Sequence, residues 1–469
     1  MKIANIQTKN FIHNNNVSFK NKANMVTPDV KPQNKNNATS LLLGAAGVIA
    51  IAGIYGITRG RSNTYIDELA KGLSEYTHKK IKSEQLQSVM SPKEFLSEIS
   101  KLKEENFVSS PENIENGIFC ADLHSHTNFS DGQGEISSIL TDVADYADKL
   151  YSKTNKKFIF ALTDHDGVKG IKEALKIIAE EPQKFKNVKF VPGAELSFML
   201  KSEIGSAKNN KCHNSIEGSE LLAYCINPFS KNVNNYFENL YQKRANMVKT
   251  AISETSKKYS DVPFSEEDAF KFIHDKKDYI FAYNSHWKIY NYVQVQNRAV
   301  KIAKEQNKPQ DFFTSVIKEH RIKTPYDFDN YLKNQNIHTQ IPIIDENLSN
   351  FSKTFFPKIE NEKIVAPSEN TFEEIIDAFS KENGVILGFA HPAFLVENMT
   401  SSTIQKNIQY YINNSKNMLK LTEKYHQAYE EPVKHNSITW DFIHQANKIL
   451  DEFGLISIGG RDSHKAKFL

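Results

Sequence analysis

The chain has 469 residues, 39% hydrophobic and 25% charged, a balance that supports a folded catalytic portion and a length beyond one ordinary domain. A formal net charge of +3 on so long a chain argues against a general nucleic-acid binder, so no stable nucleic-acid partner is expected. The three cysteines, Cys120, Cys212 and Cys225, form neither a disulfide framework nor a CxxC pair.

Residues 1–39, rich in Asn, Lys, Gln and Pro, read as a disordered N-terminal segment. Residues 41–57 are uninterruptedly apolar and are closed by Thr58-Arg59-Gly60-Arg61, which meets the lower length limit for a transmembrane helix. The run starts too far along the chain, without a short basic leader, to read as a secretory signal. The expectation is therefore a single-pass membrane protein, tethered through this helix, with its catalytic domain on the cytoplasmic side. Basic residues flank both ends about equally, so the flanks do not fix the orientation. Residues 62–116 read as a helical linker, with amphipathic patterns at 65–76 and 92–102.

From residue 117 onward, short β-branched and aromatic runs mark strands at 118–123, 158–162, 188–191, 221–226, 385–389, 418–421 and 455–458. Helical patterns at 137–151 and 168–180 fall between them, which predicts βα alternation around a mostly parallel sheet. An insertion over about 228–381 separates the fourth and fifth runs. It has helical patterns at 233–259, 265–274, 290–305 and 309–320 and an irregular stretch at 341–368, and it reads either as a lid or as a packing appendage.

Metal-binding side chains collect at the ends of these runs. The first leads into His124 and His126, the second into Thr163-Asp164-His165-Asp166, the third into Gly193-Ala194-Glu195, and the fifth into Ala390-His391-Pro392. The last leads into Asp462-Ser463-His464. Alternate residues of a strand share a face, so His124 with His126, and Asp462 with His464, can each aim two donors at one ion. Carboxyl ends of strands are where α/β barrels assemble their active sites. Imidazole and carboxylate donors without thiolate suit Zn, Mn or Fe. The sixth run offers Glu423 and Tyr425, which read as barrel rim.

Taken in order, with Ser130-Asp131-Gly132 after the first pair, these motifs resemble the PHP (polymerase and histidinol phosphatase) domain, in its branch of predicted metal-dependent phosphoesterases. The resemblance spans about residues 117–465. It implies an α/β fold, a distorted seven-stranded barrel with a helical insertion, here preceded by the transmembrane helix, and two or three divalent metal ions. Carried over, His124, His126, Glu195 and Asp462 hold one ion, and Glu195 bridges to a second held by His391. Asp131, His165 and His464 hold the third. Similar proteins complete the second shell with a histidine opening the fourth strand, where this chain has Glu220. A carboxylate there favours Mn or Fe over Zn, and His213 in the preceding loop is the other candidate. Arg461 also departs from the small residue usual before the final Asp.

Clustered divalent ions imply water activation and in-line displacement at phosphorus. The expected function is a metal-dependent phosphoesterase acting on a phosphorylated small molecule, a nucleotide or a short oligonucleotide end. Asp164 and Asp166 flank His165 as candidate catalytic or ligand-orienting carboxylates. Arg461, Lys465, Arg244 and Lys169 are candidates for holding phosphate, Arg461 foremost because its neighbour faces the metal. Two other readings stay open: a catalytically impaired barrel serving as a binding or scaffold protein at the membrane, and a metal-dependent amidohydrolase.

Overall fold

Two helices open the described part of the chain, which comprises residues 62–107, 118–205, 212–258, 285–320, 322, 324–341, 358–360, 363–392, 401–426 and 440–468 of a computed structural model. In chain order the elements begin with α1 (Ser62–Thr77), α2 (Pro92–Ile99), β1 (Ala121–Asp122), α3 (Ile136–Thr154), β2 (Phe158–Leu162) and α4 (Lys169–Glu180). A long pair, β3 (Val188–Gly205) and β4 (Cys212–Tyr224), follows, then α5 (Lys231–Lys258), α6 (Ser285–Glu305), α7 (Thr314–Glu319) and α8 (Pro325–Asn334). The chain continues through β5 (Lys358–Glu360), β6 (Lys363–Val365), α9 (Phe372–Phe379), β7 (Ile386–Phe389), α10 (Ser401–Asn414), β8 (Leu419–His426), α11 (Trp440–Glu452) and β9 (Ile456–Gly460).

Seven strands form one sheet in the order β1-β2-β3-β4-β7-β8-β9. It curls until its edges meet: the Leu123 N–H donates to Gly459 O at 3.2 Å, the Asp462 N–H to His124 O at 3.0 Å and the His126 N–H to Ser463 O at 3.1 Å. All pairings are parallel except those of β4, which runs antiparallel to β3 and β7. The amino-terminal side of the barrel part of β4 therefore opens at the same mouth as the carboxyl ends of its neighbours. This is how Glu220, which precedes the apolar stretch 221–224, can share a site with residues that follow their strands.

Each of the seven runs read from the sequence contributes to this sheet. The third and fourth are longer than their apolar cores: β3 and β4 stay paired from Gly193 opposite Tyr224 out to Gly205 opposite Cys212. Strand β2 is buried along its whole length, which its continuous Phe-Ile-Phe-Ala-Leu run requires when both faces are covered. Helices α3 and α4 cover it with stripes at helical spacing, among them Ile136, Ile139, Leu140 and Val143, and Ile171, Leu175 and Ile178. Helix α3 stops at Asn155, whose φ of 57° is left-handed and whose N–H returns to Tyr151 O.

The stretch 62–107 packs into the same core, burying Tyr65, Leu69, Leu73, Phe95 and Ile99. Its backbone is tied to β3, with the Met90 N–H donating to Phe190 O at 2.9 Å and the Phe190 N–H to Ser88 O at 2.7 Å. Between β4 and β7, helices α6, α7 and α8 build a separate small core from Val295, Ile302, Phe313, Ile317, Phe328 and Leu332. The start of α8 is fixed by a capping box between Thr324 and Asp327.

The membrane expectation is corrected. No described helix is long and apolar enough to cross a membrane. The longest, α5 and α6, are interrupted by Lys, Arg and Glu. The run at 41–57 lies outside the described residues, as does the segment 1–39. What stands is a nearly closed seven-stranded mixed α/β barrel with surrounding helices. A transmembrane element and a single-pass membrane localisation are not supported.

Candidate metal centre

Strand ends converge at one mouth of the barrel, and their side chains form three overlapping groups whose donor atoms lie within 4.8 Å of one another. The deepest group is His124, His126, Glu195 and Asp462. His124 Nε2 is 3.0 Å from Glu195 Oε2, and His126 Nε2 is 3.0 Å from Asp462 Oδ1 and 3.3 Å from Glu195 Oε2. A second group, toward solvent, is His126, Asp131, His165 and His464, with His464 Nε2 3.0 Å from Asp131 Oδ1. The third joins His165, Glu195 and Glu220. There His391 Nε2 lies 3.0 Å from Glu195 Oε1 and 3.1 Å from Glu220 Oε2.

These spacings fit a shared cation. Donors held about 2.1 Å from one ion at near-tetrahedral or octahedral angles sit roughly 3.0–3.5 Å apart. Both ring nitrogens of His126 are buried and make no well-aligned hydrogen bond, although Nε2 lies close to Asp462 and Glu195, an arrangement that suits an imidazole lone pair given to a cation. The donor set itself, imidazoles with Asp131, Glu195, Glu220 and Asp462 among them, suits a borderline or hard divalent ion.

Electrostatics points the same way. Burial pulls the His124 imidazole down, but Glu195, Glu423 and Asp462 outweigh it and hold it well above the ordinary histidine value. His126 is lifted to about 10, with Asp462 and Glu195 overcoming burial. Burial pushes Glu195 up, and His124 and His165 more than reverse it. Asp131 is likewise lowered against burial by His464 and His165. Packed carboxylates of this kind need compensating positive charge, supplied by protons or by cations that displace them.

The backbone is unusual at three of these strand ends. Asp166, His391 and Asp462 adopt φ of 49°, 25° and 51°, a region that non-glycine residues seldom enter. Each is held there by its own N–H: Asp166 donates to Glu195 O at 2.8 Å, Asp462 to His124 O at 3.0 Å, and His391 to Glu423 Oε2 at 2.9 Å. Close packing reinforces the seam between β1 and β9, since a Cβ on Gly460 would lie 2.6 Å from the His124 nitrogen.

The flanking acids face away from the cluster into the supporting structure. Asp164 accepts the Thr127 N–H at 2.7 Å and the Ser130 hydroxyl at 2.8 Å, and so fixes the loop that carries Asp131. Asp166 accepts the Ser197 N–H at 2.8 Å and the Arg244 guanidinium at 2.8 Å. Arg244, read from the sequence as a phosphate ligand, is 2% exposed and also pairs with Glu369 at 2.7 Å. Arg461 is turned to the far side of its strand, with its Nε 2.7 Å from buried Asp122 and its guanidinium 4.1 Å above the Phe468 ring. Lys465 and Lys169 are exposed. His213 lies opposite Ile204 on the outer part of the β3–β4 pair. That puts it seven residues from Glu220, roughly 20 Å along a strand, so of the two candidates it is Glu220 that reaches the cluster.

Sequence reasoning placed Glu423 on the rim. Instead it is fully buried on β8, its Oε1 and Oε2 3.0 and 3.1 Å from His124 Nδ1. Its only signal in the sequence was its position at the end of an apolar run.

No protein-family model matches the chain, and no curated protein matches it. Among solved structures, one of a Bifidobacterium adolescentis protein, named as a candidate metal-dependent phosphoesterase, is similar at 15% identity and a TM-score of 0.39, over 73% of this chain and 87% of that one. Another, a Chromobacterium violaceum amidohydrolase with bound sulfate and no metal, is similar at 16% identity and a TM-score of 0.38, over 74% of this chain and 88% of that one. Both likenesses are too remote in sequence and superposition to carry an argument about activity.

Proposed function

We propose that the chain is a metal-dependent hydrolase of phosphate esters, acting on a phosphorylated small molecule or a nucleotide. The observation that carries this reading is the sharing of Glu195 between neighbouring ligand groups, with one oxygen toward His124, His126 and His165 and the other toward His391. A bridging carboxylate of this kind supports a centre of two or three divalent ions of the Mn, Zn or Fe class. Ions held there supply Lewis acidity toward a phosphoryl oxygen and lower the pKa of water to near 7. The PHP-like order of motifs in the sequence agrees with this chemistry.

The protein's part is positioning. Buried His124, His126 and Glu195 form the rigid floor, while Asp131 and His464, 39% and 35% exposed, line the open side from which a substrate approaches. Asp164 keeps the Asp131 loop in place, and Asp166 anchors the chain beside His165, so both act through the ligands and neither contacts substrate. Arg244 and Arg461 are committed to carboxylates and are not substrate ligands in this reading. Lys465, exposed beside His464, remains the candidate for the phosphate.

The test is metal content and phosphate release from a panel of phosphomonoesters and nucleoside bisphosphates, with amide substrates alongside, for the protein and an Asp462→Asn variant. Loss of an ion and a fall of at least about a hundredfold in kcat/KM are expected, since even supporting residues of metal sites cost that much. Equal release by both proteins would sink the reading. Bound metal with no turnover of any substrate would favour a binding or scaffold role.

A further inference from the structure

We infer that Glu423 is a positioning residue of the metal centre, setting which nitrogen of His124 faces the cluster and holding the backbone of His391. The inference rests on the reading of the cluster as a metal site, but not on the reaction performed there.

Three observations carry it. Glu423 is 0% exposed, and a buried carboxylate is strongly unfavourable unless good donors meet it. Donors from two cluster residues on different strands meet it: His124 Nδ1, reached by both oxygens at 3.0 and 3.1 Å, and the His391 N–H, reached at 2.9 Å. The opposite nitrogen of the same imidazole, His124 Nε2, lies 3.0 Å from Glu195 and 3.5 Å from Asp462.

A neutral imidazole has one N–H and one lone pair, and an acceptor-only carboxylate on Nδ1 requires the N–H there. The lone pair is then fixed on Nε2, aimed into the deepest ligand group, and the carboxylate raises its donor strength. His391 needs a different kind of support, because its φ of 25° is unfavourable for a residue with a Cβ. Its N–H bond to Glu423 holds the strand end in that state. One side chain thus pre-organises ligands of two neighbouring groups.

Glu423→Gln tests this with little change of shape. The amide oxygen in the place of Oε2 can still accept from both His124 and His391. The NH2 in the place of Oε1 then faces the His124 Nδ1–H, donor against donor, and the negative charge that strengthens Nε2 as a donor is lost. The full-length protein and the variant are titrated with Zn2+ and with Co2+. Expected are a fold retained without metal, a roughly 10–100-fold weaker Zn2+ affinity, and an altered Co2+ visible spectrum. Unchanged affinity and spectrum in a folded variant would overturn the inference. A measurement on the unaltered protein decides the matter even if the variant fails to fold: long-range proton–nitrogen NMR of the Zn2+-loaded protein should place the His124 proton on Nδ1, and a proton on Nε2 would overturn it. Absence of phosphate release would count against the proposed reaction alone. Tight metal binding that ignores Glu423 would count against this inference alone.

Discussion

Glu220 is placed to bias which ion the proposed centre would prefer. Its two oxygens approach different imidazoles, Oε2 lying 3.1 Å from His391 Nε2 and Oε1 3.8 Å from His165 Nδ1. With Glu195 beside it, that group has two carboxylates, a donor set weighted toward oxygen and therefore toward Mn2+ or Fe2+ relative to Zn2+. Glu220→His replaces an oxygen donor by nitrogen at a position that opens its strand at the shared mouth. The expected result is a shift in the Zn2+-to-Mn2+ preference on the order of tenfold toward zinc, read by competition binding with metal analysis. A preference unchanged in a folded variant would mean that Glu220 does not reach the ion.

At the scale of elements, the insertion is fastened to the barrel by buried charge. Arg244 on α5 meets Asp166 at the end of β2 and Glu369 ahead of α9, all three 2% exposed. Burial pushes the Glu369 carboxyl above its usual range even though Arg244 opposes the shift. A group raised in this way adds stability that is present below its unfolded value and is lost as pH rises through its folded value. Arg244→Met would remove the cation and leave two carboxylates buried, costing about 3–5 kcal/mol near neutral pH. The deficit should shrink as pH falls toward 5, because protonation relieves the unpaired acids, and urea unfolding at several pH values measures it. A deficit independent of pH would assign Arg244 a packing role only.

The same elements show what the sequence could convey. Ligands at alternate positions of a strand, such as His124 with His126, are legible because the donors are neighbours in the chain as well as in space. Glu423 is not: its partner His124 lies 299 residues away, and a lone Glu at a strand end matches any solvated rim. Arg244 misled for a related reason, since its partners are 78 and 125 residues distant. The third strand reads as 188–191 from its apolar run, yet β3 continues to Gly205 because β4 pairs with it from Gly193 onward. The apolar run at 41–57 lies outside the described residues, and none of the described helices is long and apolar enough to cross a membrane.

For the whole molecule, the position of the centre matters as much as its composition. Its donors come from the ends of β1, β2, β7 and β9 and from within the long β3–β4 pair, where that pair leaves the barrel, and the closing seam runs between β1 and β9. Among the described residues, backbone hydrogen bonds of Leu123, His126 and Asp462 join that seam. His124 and His126 on one side and Asp462 on the other would hold the same ion in this reading, so a bound cation would cross-link the two edges of the barrel. An ion that binds only the native state adds RT ln(1 + [L]/Kd), about 4 kcal/mol at a thousandfold excess over Kd. For a barrel of this size that corresponds to a rise in Tm on the order of 10 °C. Hydrogen exchange should resolve where the gain resides, with the Leu123, His126 and Asp462 amides gaining more protection from Mn2+ or Zn2+ than the β2 amides, which are already enclosed on both faces. If chelation strips the metal from a loaded protein and leaves Tm and seam protection unchanged, the ions do not bridge the two edges, and closure is the work of side-chain packing and the seam's own hydrogen bonds.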